Sequence, residues 1–266
     1  MLPEYLLVLT ATITPSPGAE VKRCDPELRL RDYMEGLEFW IRHPYPKLKR
    51  ILFIENSGAN LDALRKCAEK NPYNKEVEFS SVASRGIPPG IHYGYGEMEM
   101  LDLALPQSVL RASTTHMIKA TGRLRFPSIG RLLDRLPESF DVCLDCRVAE
   151  YCYRLDRNPI KTMRRRGANV YANTQLMIFS HDFYASHLQR SYVDLTVGQD
   201  PSKIERLIYN RLAPFSGQPG IFLRWPINVD PEGVRGHSNT GYANLKNRMA
   251  SLLRGVLRSV APEYWM

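Results

Sequence analysis

His116-Met117-Ile118-Lys119-Ala120-Thr121-Gly122-Arg123 reads as a strand over His116–Ala120 that breaks into a turn of hydroxyl, glycine and cation. An open α/β sheet binds its ligand outside the carboxyl ends of its strands, and this turn is one such end. Lysine brings a point charge, arginine a bidentate fork, and glycine lets backbone approach closely, a set that suits a phosphate. Taken alone, K-x-T-G-R is a surface turn with solvated charges. Its weight depends on what surrounds it.

On its N-terminal side, short apolar runs at Tyr5–Thr10, Arg50–Ile54 and Val77–Val82 read as strands, with helices between them. Asp25 caps the first helix with Pro26 at its first position. Leu30, Tyr33, Met34, Leu37, Trp40 and Ile41 then recur on one helical face until Pro44 and Pro46. Asn56-Ser57-Gly58 turns into a helix over Asn60–Lys70, and Gly94-Tyr95-Gly96 leads into another over Glu97–Leu105. On the C-terminal side, Ser128 caps a helix bearing Ile129, Leu132, Leu133 and Leu136, and Phe140–Cys146 is a fifth strand. This alternation predicts an α/β fold with a mixed, mostly parallel sheet covered by helices on both faces.

After Arg147 the pattern loosens. Tyr151–Asn169 is basic and irregular and includes Arg164-Arg165-Arg166, Tyr171–Phe179 reads as a longer strand, and Ser202 opens a helix with Ile204, Leu207, Ile208 and Leu212. The reading divides the chain into 1–242, whose acceptor side begins near 150, and a basic amphipathic helix in 243–266. Leu245, Met249, Leu252, Leu253, Val256, Leu257 and Val260 form that helix's apolar stripe, with Arg254 and Arg258 opposite and Lys246 and Arg248 flanking it. Such a helix is most often packed against its own protein; resting on a membrane surface is the sharper reading.

The 266 residues are 44% hydrophobic and 24% charged, which excludes collagen, coiled coil and wholesale disorder. A net charge of +8 favours anionic partners: phosphate, nucleotide, nucleic acid or acidic lipid. Five cysteines, an odd number, with no export signal at the N-terminus, suggest reduced thiols and a cytoplasmic location, at most peripheral at the inner face of the membrane. No stretch has the length of a membrane span.

Several patterns carry less than they suggest. Gly94-Tyr95-Gly96 does not follow the first strand and lacks a third glycine, so it is not a dinucleotide fingerprint. No Walker loop is present. Cys143 and Cys146, with Cys152 nearby, lie in a strand where the thiols need not converge, so no metal site is expected. Ser202 and Glu205 have capping-box spacing. His237, in a polar loop bounded by glycines, is equally a ligand clamp or an ordinary loop residue.

In order along the chain stand Asp25-Pro26-Glu27-Leu28-Arg29-Leu30-Arg31-Asp32-Tyr33, Ile51-Leu52-Phe53-Ile54-Glu55-Asn56-Ser57-Gly58, Gly94-Tyr95-Gly96-Glu97, Ile118-Lys119-Ala120-Thr121-Gly122-Arg123 and Gly236-His237-Ser238. This series, spanning roughly residues 5 to 242, resembles a family of bacterial glycosyltransferases from capsule and O-antigen gene clusters with a GT-A-like nucleotide-sugar domain.

The resemblance implies transfer of a sugar from a nucleotide-sugar donor to a growing polysaccharide or lipid-linked glycan. It implies donor contacts from Thr10, Thr12, Arg29, Asp32, Asn56, Ser57, Tyr95, Gly96, Glu97, Lys119, Thr121, Gly122 and Arg123, and acceptor contacts from Arg147, His237 and Ser238. Many GT-A enzymes carry Asp-x-Asp after the fourth strand, and this chain has none. No cofactor is therefore expected, with Lys119 and Arg123 neutralising the leaving diphosphate in place of a metal. Asp145 is the preferred catalytic base should the reaction invert, with Glu205 and Asp194 as the other carboxylates. Two alternatives stand beside this reading: a sugar-phosphate nucleotidyltransferase and a non-enzymatic RNA-binding or scaffold protein.

Overall fold

The computed structural model describes residues 3–16, 21–148, 170–195, 203–242 and 245–260. Arg164–Arg166, Cys152 and Ser202 lie outside the described residues, as do the side chains of Leu245, Lys246, Arg248, Leu257 and Arg258.

The strands are β1 (Tyr5–Ala11), β2 (Arg50–Glu55), β3 (Glu76–Ser81), β4 (His116–Thr121), β5 (Val142–Val148), β6 (Val170–Ser180) and β7 (Ile221–Phe222). They form a seven-stranded sheet in the order β3-β2-β1-β4-β6-β5-β7. Four of its six pairings are parallel; β6 runs antiparallel to both β4 and β5. The sheet is mixed and mostly parallel, as the sequence predicts. β1 and β4 are buried along their whole length, as befits strands covered on both faces.

Side chains alternate across the sheet. Tyr5, Leu7, Leu9, Ile51, Phe53, Ile118 and Ala120 join one core, packed under α1 (Pro26–Ile41). Leu6, Val8, Leu52, Ile54 and Met117 join the other, under α3 (Gly94–Ala104) and α6 (Ile204–Leu212). α2 (Asp62–Ala68), α4 (Ile129–Leu133) and α5 (His181–His187) complete the two layers, and α7 (Leu245–Val260) closes the described chain. Cys143 belongs to the first core and Cys146 to the second, so the two thiols point to opposite faces of the sheet.

Local signals behave unevenly. Asp25 caps α1, accepting from the backbone N–H of Glu27 and Leu28. Ser128 does not cap α4 with its side chain, which instead accepts from Arg131, and α4 ends at Leu133 before reaching Leu136. α6 starts after Lys203, which makes no side-chain cap bond. The packed reading of the last helix is corrected. Met249, Leu252, Leu253, Val256 and Val260 are exposed, whereas Arg254 donates to Asp230 at 3.0 Å with its side chain largely covered. The polar side of α7 faces the protein, because Asp230 and Asn228 offer it partners there.

Candidate active site

The site forms where β1, β2 and β4 end together. The parallel register pairs Thr10 with Ile54 and with Thr121, and Ala11 with Glu55, so the residues that follow these strands share one edge. Thr10 and Lys119 lie on the α3 face of the sheet, since each stands two residues beyond a core residue of that face, Val8 and Met117.

α3 lowers Glu97 onto this edge. Glu97 Oε1 accepts from Lys119 Nζ at 2.6 Å, Thr10 Oγ1 at 3.0 Å and Thr121 Oγ1 at 3.4 Å. Lys119 is fully buried and also donates to the Thr174 carbonyl at 2.6 Å. Burial alone would raise the Glu97 carboxyl; the Lys119 charge and these hydrogen bonds outweigh it and hold the group below the usual carboxylate range. Among the described residues, Oε2 of Glu97 has no hydrogen-bond partner.

A second cluster organises the loops. Glu55 is wholly buried and collects the backbone N–H groups of Ile13, Ser57 and Ala59. Thr12 donates to Asn56 Oδ1 at 2.7 Å, and Asn56 donates to the Gly96 carbonyl at 3.5 Å. Arg29 and Asp32 serve the same loops from beneath. Arg29 donates to the carbonyls of Thr12 and Arg23 and to the Tyr33 hydroxyl; Asp32 accepts two hydrogen bonds from Arg23. Both are buried, with these bonds occupying their side chains.

The opposite wall comes from α6 and from 233–242. Gly94 allows α3 to touch α6, since a Cβ there would stand 2.2 Å from the Ile204 side chain. That contact brings Glu205 beside Tyr93 and His92, whose Nδ1 is 4.0 Å from Glu205 Oε2. Glu205 Oε2 is buried and, among the described residues, has no hydrogen-bond partner. Desolvation, with the Glu97 charge adding to it, pushes its carboxyl above the ordinary range. Arg123 donates Nε to the Val234 carbonyl at 3.0 Å and lies against Gly236, tying 233–242 to the end of β4. Burial, followed by the Arg235 and Arg123 charges, lowers the His237 imidazole pKa.

Thr10, Thr12, Asn56, Ser57, Gly96, Glu97, Lys119 and Thr121 thus come together, with Gly122, Arg123, His237 and Glu205 around them. Gly122 is needed for packing, because a Cβ there would sit 2.9 Å from the Thr10 carbonyl. Tyr95, Asp145, Arg147 and Asp194 stand apart. Tyr95 turns to the other side of α3, where its ring meets Tyr192 edge-on at 4.8 Å. Asp145 is completely buried on β5 and paired with Arg147 at 2.5 Å. Ser238 bonds Thr240 within its own loop. Asp194 forms an ion pair with Arg211, with both side chains well exposed. Sequence reasoning missed Tyr93, Gln175 and Tyr242, the last two hydrogen-bonded to each other across 67 residues. Tyr93 was within reach of the helical period, being four residues before Glu97.

Among the described residues no three His, Cys, Asp or Glu side chains converge, and the end of β4 offers Thr121, Gly122 and Arg123.

Solved structures share this architecture. The mannosyltransferase Ktr4p from S. cerevisiae superposes with a TM-score of 0.51 at 10% identity, covering 91% of this chain and 75% of that one. The fold is GT-A-like. Core-mannan synthase A from Aspergillus fumigatus, in its Mn/GDP form, gives a TM-score of 0.47 at 9% identity, covering 87% of this chain and 74% of that one. A 4-diphosphocytidyl-2C-methyl-D-erythritol synthase gives 0.46 at 12% identity, covering 95% and 99%. At such identities the likeness concerns the fold alone. No protein-family model matches the chain, and no curated protein matches it in sequence.

Proposed function

We propose that this protein is a glycosyltransferase that moves a sugar from a nucleotide-sugar donor to a glycan acceptor. The observation that carries the reading is the convergence of Thr10, Thr12, Asn56, Glu97 and Thr121 on one strand edge of a GT-A-like sheet. Hydroxyl, amide and carboxylate groups set side by side suit a nucleoside and its sugar. Glu97 Oε2 would accept from a donor hydroxyl. Lys119, whose ammonium is engaged by Glu97 and Thr174, keeps that carboxylate charged.

Arg123 is then the cation for the diphosphate, because only its Nε is tied to the protein among the described residues. Charge developing on the leaving group would be met by this guanidinium, without a metal. Glu205 suits the role of base better than Asp145. Its raised carboxyl can take a proton from an acceptor hydroxyl, whereas Asp145 is enclosed and paired with Arg147. His237 would border the acceptor.

A membrane-surface role for α7 belongs to the same reading. Its apolar residues face outward, and among the described residues no helix is long and apolar enough to cross a membrane. A lipid-linked acceptor would make such a surface useful.

The test is thermal shift against nucleoside diphosphates, triphosphates and nucleotide sugars, each with manganese and with EDTA. A ligand bound only by the folded state raises the melting temperature. Selective stabilisation by one diphosphate and its sugar, undiminished in EDTA, is expected. Stabilisation by a triphosphate alone would favour nucleotidyl transfer, and a flat panel with tight, salt-dependent RNA binding would overturn the enzymatic reading.

A further inference from the structure

A cavity of about 300 Å³ lies on the other side of α3 from Glu97. The helical period places Tyr95, Glu99 and Asp102 on one face and Glu97 opposite, so this cavity is distinct from the strand-edge site. Tyr192, on the 3₁₀ turn Ser191–Asp194, closes it from across, and Arg85 and Arg190 stand at its mouth.

Three features make it a built site. Glu99 is only 1% exposed; its Oε2 accepts from Ser84 Oγ at 2.8 Å and from the Arg85 N–H at 3.2 Å, while its Oε1 has no partner among the described residues. A buried carboxylate oxygen left unpaired costs free energy that a ligand donor would recover. The Tyr95 and Tyr192 rings meet at 83°, offering two apolar surfaces at an angle. Asp102 is fully engaged, accepting from Tyr184 OH at 2.7 Å and from the Arg190 N–H at 2.6 Å. That second bond holds Arg190 in the left-handed region at φ 60°, which keeps its exposed side chain at the cavity mouth. Among the described residues neither the Arg85 nor the Arg190 guanidinium has a hydrogen-bond partner.

The ligand must therefore donate to Glu99, lay C–H surface on tyrosine rings, and carry an anionic group for the arginines. A bare phosphate would set its charge against Glu99, and a simple amine would face two guanidinium groups. We propose that this cavity binds an acidic sugar unit, a uronic acid, its hydroxyls on Glu99 and its carboxylate on Arg85 and Arg190. This site does not depend on the transferase reading.

The test is calorimetric titration of the full chain with D-glucuronate, and with D-glucose and L-glutamate as neutral and amino-acid controls. Saturable glucuronate binding is expected, unchanged when a saturating nucleoside diphosphate is present. Arg85→Ala, at an exposed position, should weaken it about tenfold, the loss of one charge-assisted hydrogen bond. Glu99→Gln should weaken it as well. Absence of saturable binding, equal or tighter binding of glucose or glutamate, displacement by the nucleotide, or wild-type affinity in both variants would overturn the proposal.

Discussion

Lys119 Nζ and Glu97 Oε1 stand 2.6 Å apart, with the lysine wholly buried, so the strand-edge site is built around an ion pair that the fold itself satisfies. Removing one partner strands the other charge in a desolvated place. Lys119→Met should therefore destabilise the protein by about 3–5 kcal/mol. The double variant Lys119→Met/Glu97→Gln should recover most of that loss, because no uncompensated charge remains. Urea denaturation of the two singles and the double, read as a cycle, gives the coupling directly.

Glu205 makes the opposite prediction for stability. Its carboxyl is raised in the folded state, so it stabilises the fold at low pH, and that contribution is lost as pH rises through the folded value. Glu205→Gln removes the cost of ionising a buried group. Its melting temperature at pH 7 should equal or exceed that of the wild type, and the difference should vanish near pH 4. If Glu205 is the base, turnover falls about 10²- to 10⁴-fold in the same variant. A merely structural residue would not give stability and activity effects of opposite sign.

Much of this site is legible in the sequence because parallel strands end on a common edge. Thr10, Asn56 and Thr121 each follow an apolar run, and that alone places them together. Glu205 ranks behind Asp145 in the sequence because its spacing from Ser202 suggests a cap, yet its neighbours are His92, Tyr93 and Glu97, over a hundred residues away. Gly94 and Gly96 drew attention to the right segment, but Gly94 is there for Ile204. The antiparallel insertion of β6 between β4 and β5 could not be read, since strand order is set by pairing across the sheet.

His181 supplies a pH signature of the fold. Burial, and then the Arg111 charge, lower its imidazole from 6.5 to about 4, while Nε2 stays 2.9 Å from the Thr114 hydroxyl. The unfolded chain binds this proton more readily, so the contribution of His181 is complete above pH 6.5 and is lost as pH drops towards 4. The full loss is on the order of 3 kcal/mol. Melting curves from pH 7 to 4 should show this decline, and His181→Asn should flatten it.

The exposed stripe of α7 predicts lipid binding that is independent of Arg254. Leu252 and Val256 are 72% and 59% exposed, so Leu252→Gln with Val256→Gln should leave the melting temperature nearly unchanged. The same pair should lower binding to anionic vesicles at least several-fold. Arg254→Glu is the wrong probe, because it breaks the contact with Asp230. Equal sedimentation of the double variant and wild type with vesicles would exclude α7 as the contact.

Gly36 ties helix packing to the site. A Cβ at this position would stand 2.1 Å from the Gly122 carbonyl oxygen and 3.2 Å from Arg123 Cα, and both neighbours are backbone. Replacing a mid-helix glycine with alanine normally gains about 1 kcal/mol through helix propensity. Here the clash outweighs it, because neither α1 nor the turn after β4 has a flexible side chain to give way. Gly122 cannot retreat, as its N–H is bonded to the Thr10 carbonyl at 2.9 Å. Gly36→Ala should cost about 1–3 kcal/mol net, and it should displace Thr121 and Arg123 together. Nucleotide affinity should then drop along with the melting temperature, measured at a temperature where the variant is still folded. If Gly36→Ala is stabilising, the contact between α1 and the end of β4 is looser than these distances require.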